Sequence, residues 1–253
     1  MTLVSYEVRD RIASIRLNRP EKLNAINGKL LDELADAVYQ LDQDETADIG
    51  ILSGEGSAFC SGADYKERVG TLDARGVTRA PRSTVLLSRF FNYKPIIAAV
   101  HGYAVGAGLI LVLTSDLVVA DSSARFQIAE VPRGLDGSSL WEYLRVRTSG
   151  AFADDMALTG RMCDAREAFD RGLVNRLADE GHHLDVATEL ARQVIKNPPL
   201  AIRTIVRSKR VHLEILETRV SAMCRERTLQ SSADYRESVA AMRENREPVY
   251  RGE

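Results

Sequence analysis

The stretch that most constrains this 253-residue chain is the apolar run from Ile96 to Ala120, IIAAVHGYAVGAGLILVLTSDLVVA. It is long enough to span a bilayer, but His101, the glycines at 102, 106 and 108, and Asp116 interrupt it. Punctuation of that kind divides the run into a buried strand over 96–100, a Gly-rich turn, an apolar helix and a second strand over 117–120. A helix with no charged residue has to be enclosed on all sides, which points to a layered α/β core. The turn also leaves free backbone N–H groups at the helix N-terminus, where negative charge is welcome.

The rest of the chain fits around that centre. Residues 3–8 and 11–17 alternate apolar and polar about a short turn and predict a hairpin. Asn27 is placed to cap a helix whose apolar face is Leu30, Leu31, Leu34, Ala35, Val38 and Leu41. Asp48–Leu52 predicts a buried strand, followed by a Gly/Ser-rich loop over 53–62. Residues 70–82 have no period and predict a mobile lid or a disordered loop, and 83–92 read as helix. From about 137 the pattern is mostly helical, with a helix over 138–146 and another started by Pro198 and Pro199. The division expected is a core over 1–195 and a helical region over 196–253.

Charge excludes some functions. Lys plus Arg number 34 against 36 Asp plus Glu, a net charge of −2, without the basic excess of a dedicated nucleic-acid binder. Cys60, Cys163 and Cys224 are widely spaced and form no CxxC pair, so no disulfide framework or zinc site is indicated. The first residues carry no signal-peptide h-region. A soluble, cytoplasmic protein is the expectation.

Two Gly-rich segments carry the chemistry, GEGSAFCSGADYKE (54–67) and GYAVGAG (102–108). Each alone reads equally well as tight packing or a surface turn, and neither has the pattern of a phosphate loop or dinucleotide fold. Their order is more specific. NRPEKLNAIN (18–27), AFCSGAD (58–64), GYAVGAG and ARFQIAEVPRGL (124–135), followed by LTGRMCDAREAFDRGLVN (158–175), resemble the enoyl-CoA hydratase/isomerase, or crotonase, family. The resemblance implies an α/β spiral of ββα units with a helical C-terminal trimerisation region, hence a homotrimer or dimer of trimers. It makes the N–H groups of Ala63 and Ala107 an oxyanion hole for a thioester oxygen. It also places Lys22, Leu23 and Ala25 in the loop lining the CoA adenine pocket, with Lys66 after the first donor. Either lysine would pair with CoA phosphates, the alternative being a solvated surface lysine. No permanent cofactor or metal is implied; coenzyme A enters as part of the substrate.

Acids decide the reaction. Family hydratases use two glutamates; the first falls here on Ile110, which cannot bind or deprotonate water. The second matches Glu130, a general base whose pKa an apolar surround would raise. Asp136 is a further acid by resemblance to some isomerases, or else a turn and cap residue before the helix at 138. His101 is expected as a satisfied buried histidine and His182 and His183 as solvent-facing. Tyr65 and Tyr103 border the acyl pocket or pack in the core. Residues 66–92 and the C-terminal helices are expected to shape that pocket. In the tail, Arg225, Arg227, Arg236, Arg243 and Arg246 read as a solvated or intersubunit face. One glutamate suits double-bond migration from 3-enoyl-CoA to 2-enoyl-CoA better than hydration. Hydration and carbon–carbon bond chemistry remain alternatives, as does a non-catalytic acyl-CoA or RNA binder using Arg203, Arg207, Lys209 and Arg210.

Overall fold

Period-two alternation gives β1 (Val4–Arg9) and β2 (Ile12–Leu17), paired antiparallel from Val4 opposite Leu17 to Arg9 opposite Ile12. Asp10 and Arg11 turn between them with φ of 53° and 65°, the left-handed pair that matches strand twist in a two-residue hairpin. The computed structural model describes residues 2–64, 92–223 and 229–253. The expected lid at 70–82, the helix at 83–92 apart from Asn92, and Tyr65, Lys66, Cys224, Arg225 and Arg227 lie outside them.

Helix α1 (Gly28–Gln43) begins where the Asn27 side chain accepts from the Leu30 N–H at 2.9 Å. Its buried stripe covers one face of a six-stranded sheet of order β1-β2-β3-β4-β6-β9, with β3 (Ile49–Gly54), β4 (Ile96–Val100), β6 (Leu117–Asp121) and β9 (Arg176–Ala178). All pairs after the hairpin are parallel. Parallel strands are covered on both faces. Here Ile49, Ile51, Ile97 and Val119 pack under Ala187, Leu190 and Ala191 of helix α6 (His183–Ile195), and the opposite face joins the main core.

The apolar run folds as β4, a short strand β5 (Tyr103–Val105), helix α2 (Ala107–Thr114) and β6. Every α2 residue from Ala107 to Leu113 is buried, as its lack of a polar face requires. Among the described residues no helix is long and apolar enough to cross a membrane. A second sheet joins β5 to β7 (Arg125–Gln127) and to β8 (Met162–Asp164). From β4 to β7 successive strands alternate between the large and small sheets, with α2 between the two pairs, which makes this part of the chain spiral.

Helices α3 (Ser138–Arg147), α4 (Gly150–Thr159) and α5 (Ala165–Asp170) follow. The second half is mostly helical, as expected, with the short strands β8 and β9 inserted in it. Three residues are too few to display a period. The long helix α7 (Pro199–Met223) is pinned to the core by Arg210, which grips Asp116 at 2.7 Å with Lys209 beside it at 2.8 Å. Burial alone would raise Asp116; the two cations outweigh it and hold the carboxyl below its ordinary value. Arg203 lies 3.9 Å from Asp48, and Arg207 sits over the Tyr93 ring. Of the basic face considered for RNA, Lys209 and Arg210 are thus turned to an internal partner. Helix α8 (Ala233–Glu244) and an extended tail complete the fold.

Candidate active site

Two backbone segments meet beneath a cavity of about 250 Å³. Ile26 bridges Ala63 in parallel, donating to the Gly62 carbonyl at 2.7 Å and accepting from the Asp64 N–H at 2.8 Å. A residue straddled this way turns its own N–H to the other side, and Ala63 lines the cavity there. Ala107 is the first residue of α2, so its N–H has no acceptor within the helix. It lines the same cavity. The register between them comes from Cys60, which bridges Ala104 and accepts from the Val105 N–H at 3.1 Å. A Cβ on Gly108 would stand 2.3 Å from the Cys60 carbonyl, so only glycine lets the segments approach this closely. Burial pushes the Cys60 thiol up to about 12, leaving a packing group rather than a nucleophile.

Glu130 follows β7 and opens the one-turn helix Val131–Arg133. The Gly106 N–H donates to the Gln127 carbonyl at 3.0 Å, joining the carboxylate's strand to the donor's turn. Gly106 itself has φ 54° and ψ −118°, and a Cβ there would lie 2.9 Å from Glu130 Oε1. The missing side chain is what admits the carboxylate beside the Ala107 donor. Ala63, Ala107 and Glu130, singled out from sequence, thus face one space.

Sequence reasoning missed what holds the first donor. Arg19 donates to the Ala25 carbonyl (2.9 Å) and pairs with Asp64 at 2.7 Å, both side chains mostly buried. Fully buried Asn24 donates to the carbonyls of Glu55 (2.9 Å) and Ala58 (2.8 Å) and accepts from the Arg19 N–H. Asn24→Ala would strand these buried groups at a left-handed φ of 54°. It should lower unfolding stability by about 2–4 kcal/mol, read by urea denaturation.

The other predicted residues are placed as follows. Lys22, Leu23 and Ala25 form the loop beside the first donor, where the Ser61 N–H donates to the Leu23 carbonyl at 2.9 Å; none of the three lines the cavity. Ile110 is fully buried and also absent from the lining. Asp136 is not among the residues that line the cavity. Its Oδ1 accepts from the Ser138 N–H (2.9 Å) and hydroxyl (2.6 Å) at the start of α3, and it faces a neighbouring depression. The turn-and-cap role is the one it fills. Tyr103 is 44% exposed, neither core nor cavity wall. His182 is exposed, but His183 corrects the expectation. It is buried, stacks on His101 at 4.5 Å and lies 3.2 Å from Asp121, and burial holds it below its ordinary pKa. His101 Nε2 contacts the Gly56 carbonyl at 2.9 Å. Among the described residues no cluster of His, Cys, Asp and Glu could hold a metal ion.

Alternating sheets, a central apolar helix and two converging N–H groups define a crotonase-fold protein. The chain belongs to the enoyl-CoA hydratase/isomerase family, whose sequence pattern matches residues 7–253, and it is an enzyme of that family. It is 32% identical over 267 residues to the 1,2-epoxyphenylacetyl-CoA isomerase of Escherichia coli, covering 100% of this chain and 99% of that protein. It is 31% identical to the (E)-benzylidenesuccinyl-CoA hydratase of Thauera aromatica, covering 98% and 99%. A solved carnitinyl-CoA dehydratase from Mycobacterium avium superposes with TM-score 0.87 at 31% identity, covering 100% of both chains.

Proposed function

We infer that this enzyme isomerises enoyl-CoA thioesters through an enolate, with Glu130 as its single acid/base. The observation that carries the reading is the joint presence of Ala63, Ala107 and Glu130 in one cavity to which neither Ile110 nor Asp136 contributes an acid. The Glu130 carboxylate takes a proton from C2 of a 3-enoyl thioester. The electron pair moves into the carbonyl, and the resulting oxyanion is held by the Ala63 and Ala107 N–H groups. Protonated Glu130 returns its proton at C4, leaving the double bond between C2 and C3. No oxidant or metal enters this balance. Coenzyme A arrives with the substrate, with Lys22, Leu23, Ala25 and Lys66 as its proposed contacts. Exposed Leu200, Val211 and Ile215 on α7 support assembly into trimers, and the cytoplasm is the proposed location.

The test is a panel of saturated, 2-enoyl, 3-enoyl and malonyl-type CoA thioesters in heavy water, read by mass spectrometry. The expected result is deuterium uptake and migration with 3-enoyl-CoA and only slow hydration of crotonyl-CoA. Hydration of crotonyl-CoA at the rate of a good enzyme would overturn the single-acid reading, and decarboxylation of the malonyl thioester would redirect it to carbon–carbon chemistry.

A further inference from the structure

The cavity around Glu130 has a second wall, built by α8 and the tail beyond it. Tyr235, Ser238, Met242, Arg246 and Tyr250 line it. Most of the polar groups on this wall are already committed. The Ser238 hydroxyl donates to the Arg133 carbonyl at 2.8 Å, and the Tyr250 hydroxyl donates to the Pro132 carbonyl at 2.8 Å. The Arg246 guanidinium is held by Glu237 and Glu244. These first two bonds stitch the wall to the turn that begins at Glu130, so its distance from the carboxylate is fixed.

Tyr235 stands apart. It is 3% exposed, and its amide is capped by the Ser232 hydroxyl at 3.0 Å. Its own hydroxyl makes no hydrogen bond with any other described residue. That hydroxyl is not among the fully enclosed side-chain atoms that lack a partner, so it reaches open space, where phenylalanine would present only carbon. A phenol that faces a substrate cavity has a use there, since it is a neutral donor. Arg133, from the turn after Glu130, lines the same cavity, so a second donor stands near Tyr235.

We propose that Tyr235 is a specificity-determining residue whose hydroxyl donates to an oxygen on the acyl group beyond the thioester. The enzyme therefore takes acyl-CoA thioesters carrying such an oxygen in preference to unsubstituted alkyl ones. This rests on the thioester reading above. A hydrocarbon chain laid against Tyr235 would leave its hydroxyl unpaired, and a site built around a polar partner discriminates against the analogue that lacks it.

The experiment uses saturated thioesters, which bind but cannot isomerise: butyryl-CoA, 4-hydroxybutyryl-CoA and glutaryl-CoA, titrated calorimetrically. Wild type should bind at least one oxygen-bearing thioester about tenfold more tightly than butyryl-CoA, the scale of one net hydrogen bond. Tyr235→Phe should remove most of that margin and leave butyryl-CoA binding unchanged. Equal wild-type affinity for all three overturns the assignment without any variant being needed. A uniform loss for all three in Tyr235→Phe assigns the residue to packing and overturns it also. If none of the three binds, the thioester reading itself falls, an outcome distinct from the failure of Tyr235 alone.

Discussion

Glu130→Gln should lower proton exchange at the carbon next to the thioester by about 10²- to 10⁴-fold, the usual contribution of a positioned acid/base. Glutamine keeps the shape of the side chain that fits over Gly106, where glutamate Oε1 comes within 2.9 Å of the absent Cβ. It cannot accept and return a proton. Exchange in heavy water, followed by mass spectrometry, isolates that step from turnover. Calorimetric affinity for a saturated thioester should stay within a few-fold, because the proposed CoA loop at 22–25 lies outside the cavity. Exchange at the wild-type rate in Glu130→Gln would mean that another group is the base.

Ala107→Pro is the second large effect. Proline suits the first residue of a helix, because that N–H is unpaired in any case and the ring presets φ. Gly106 precedes it with a conformation that only glycine tolerates well. The substitution therefore removes one donor at a position where the helix survives, and it puts a ring methylene where the thioester oxygen would lie. Loss of an oxyanion donor is worth about 3–4 kcal/mol, or roughly 10²- to 10³-fold in kcat. Ala107→Gly keeps the N–H and should retain activity within a few-fold. An Ala107→Pro protein that melts like wild type and turns over at the wild-type rate would remove Ala107 from the hole.

Local features were readable from the chain. The hairpin, the Asn27 cap and the ends of α2 follow from alternation, capping chemistry and glycine punctuation, each confined to a few neighbouring residues. What escaped reading is long-range. Arg210 and Lys209 looked like a free basic face because Asp116 lies 93 and 94 positions away. His183 looked like an exposed helix start until the fold stacked it on His101. Ser238 and Arg133, which join the second cavity wall to the turn after Glu130, are 105 residues apart. No periodicity encodes such pairings. The acyl-group wall is accordingly the part of the site that the chain reveals least.

Both donors beneath the cavity belong to the main chain, with methyl side chains at 63 and 107. That separates inheritance of the chemistry from inheritance of the side chains. Drift at 63 or 107 leaves an N–H in place, whereas positions 106 and 108 tolerate no Cβ without displacing Glu130 or Cys60. The anion site is thus robust to most mutations and brittle at two glycines. On the proposed enolate reading, a lineage can exchange the residue at 235, and with it the substrate preferred, without rebuilding the two main-chain donors.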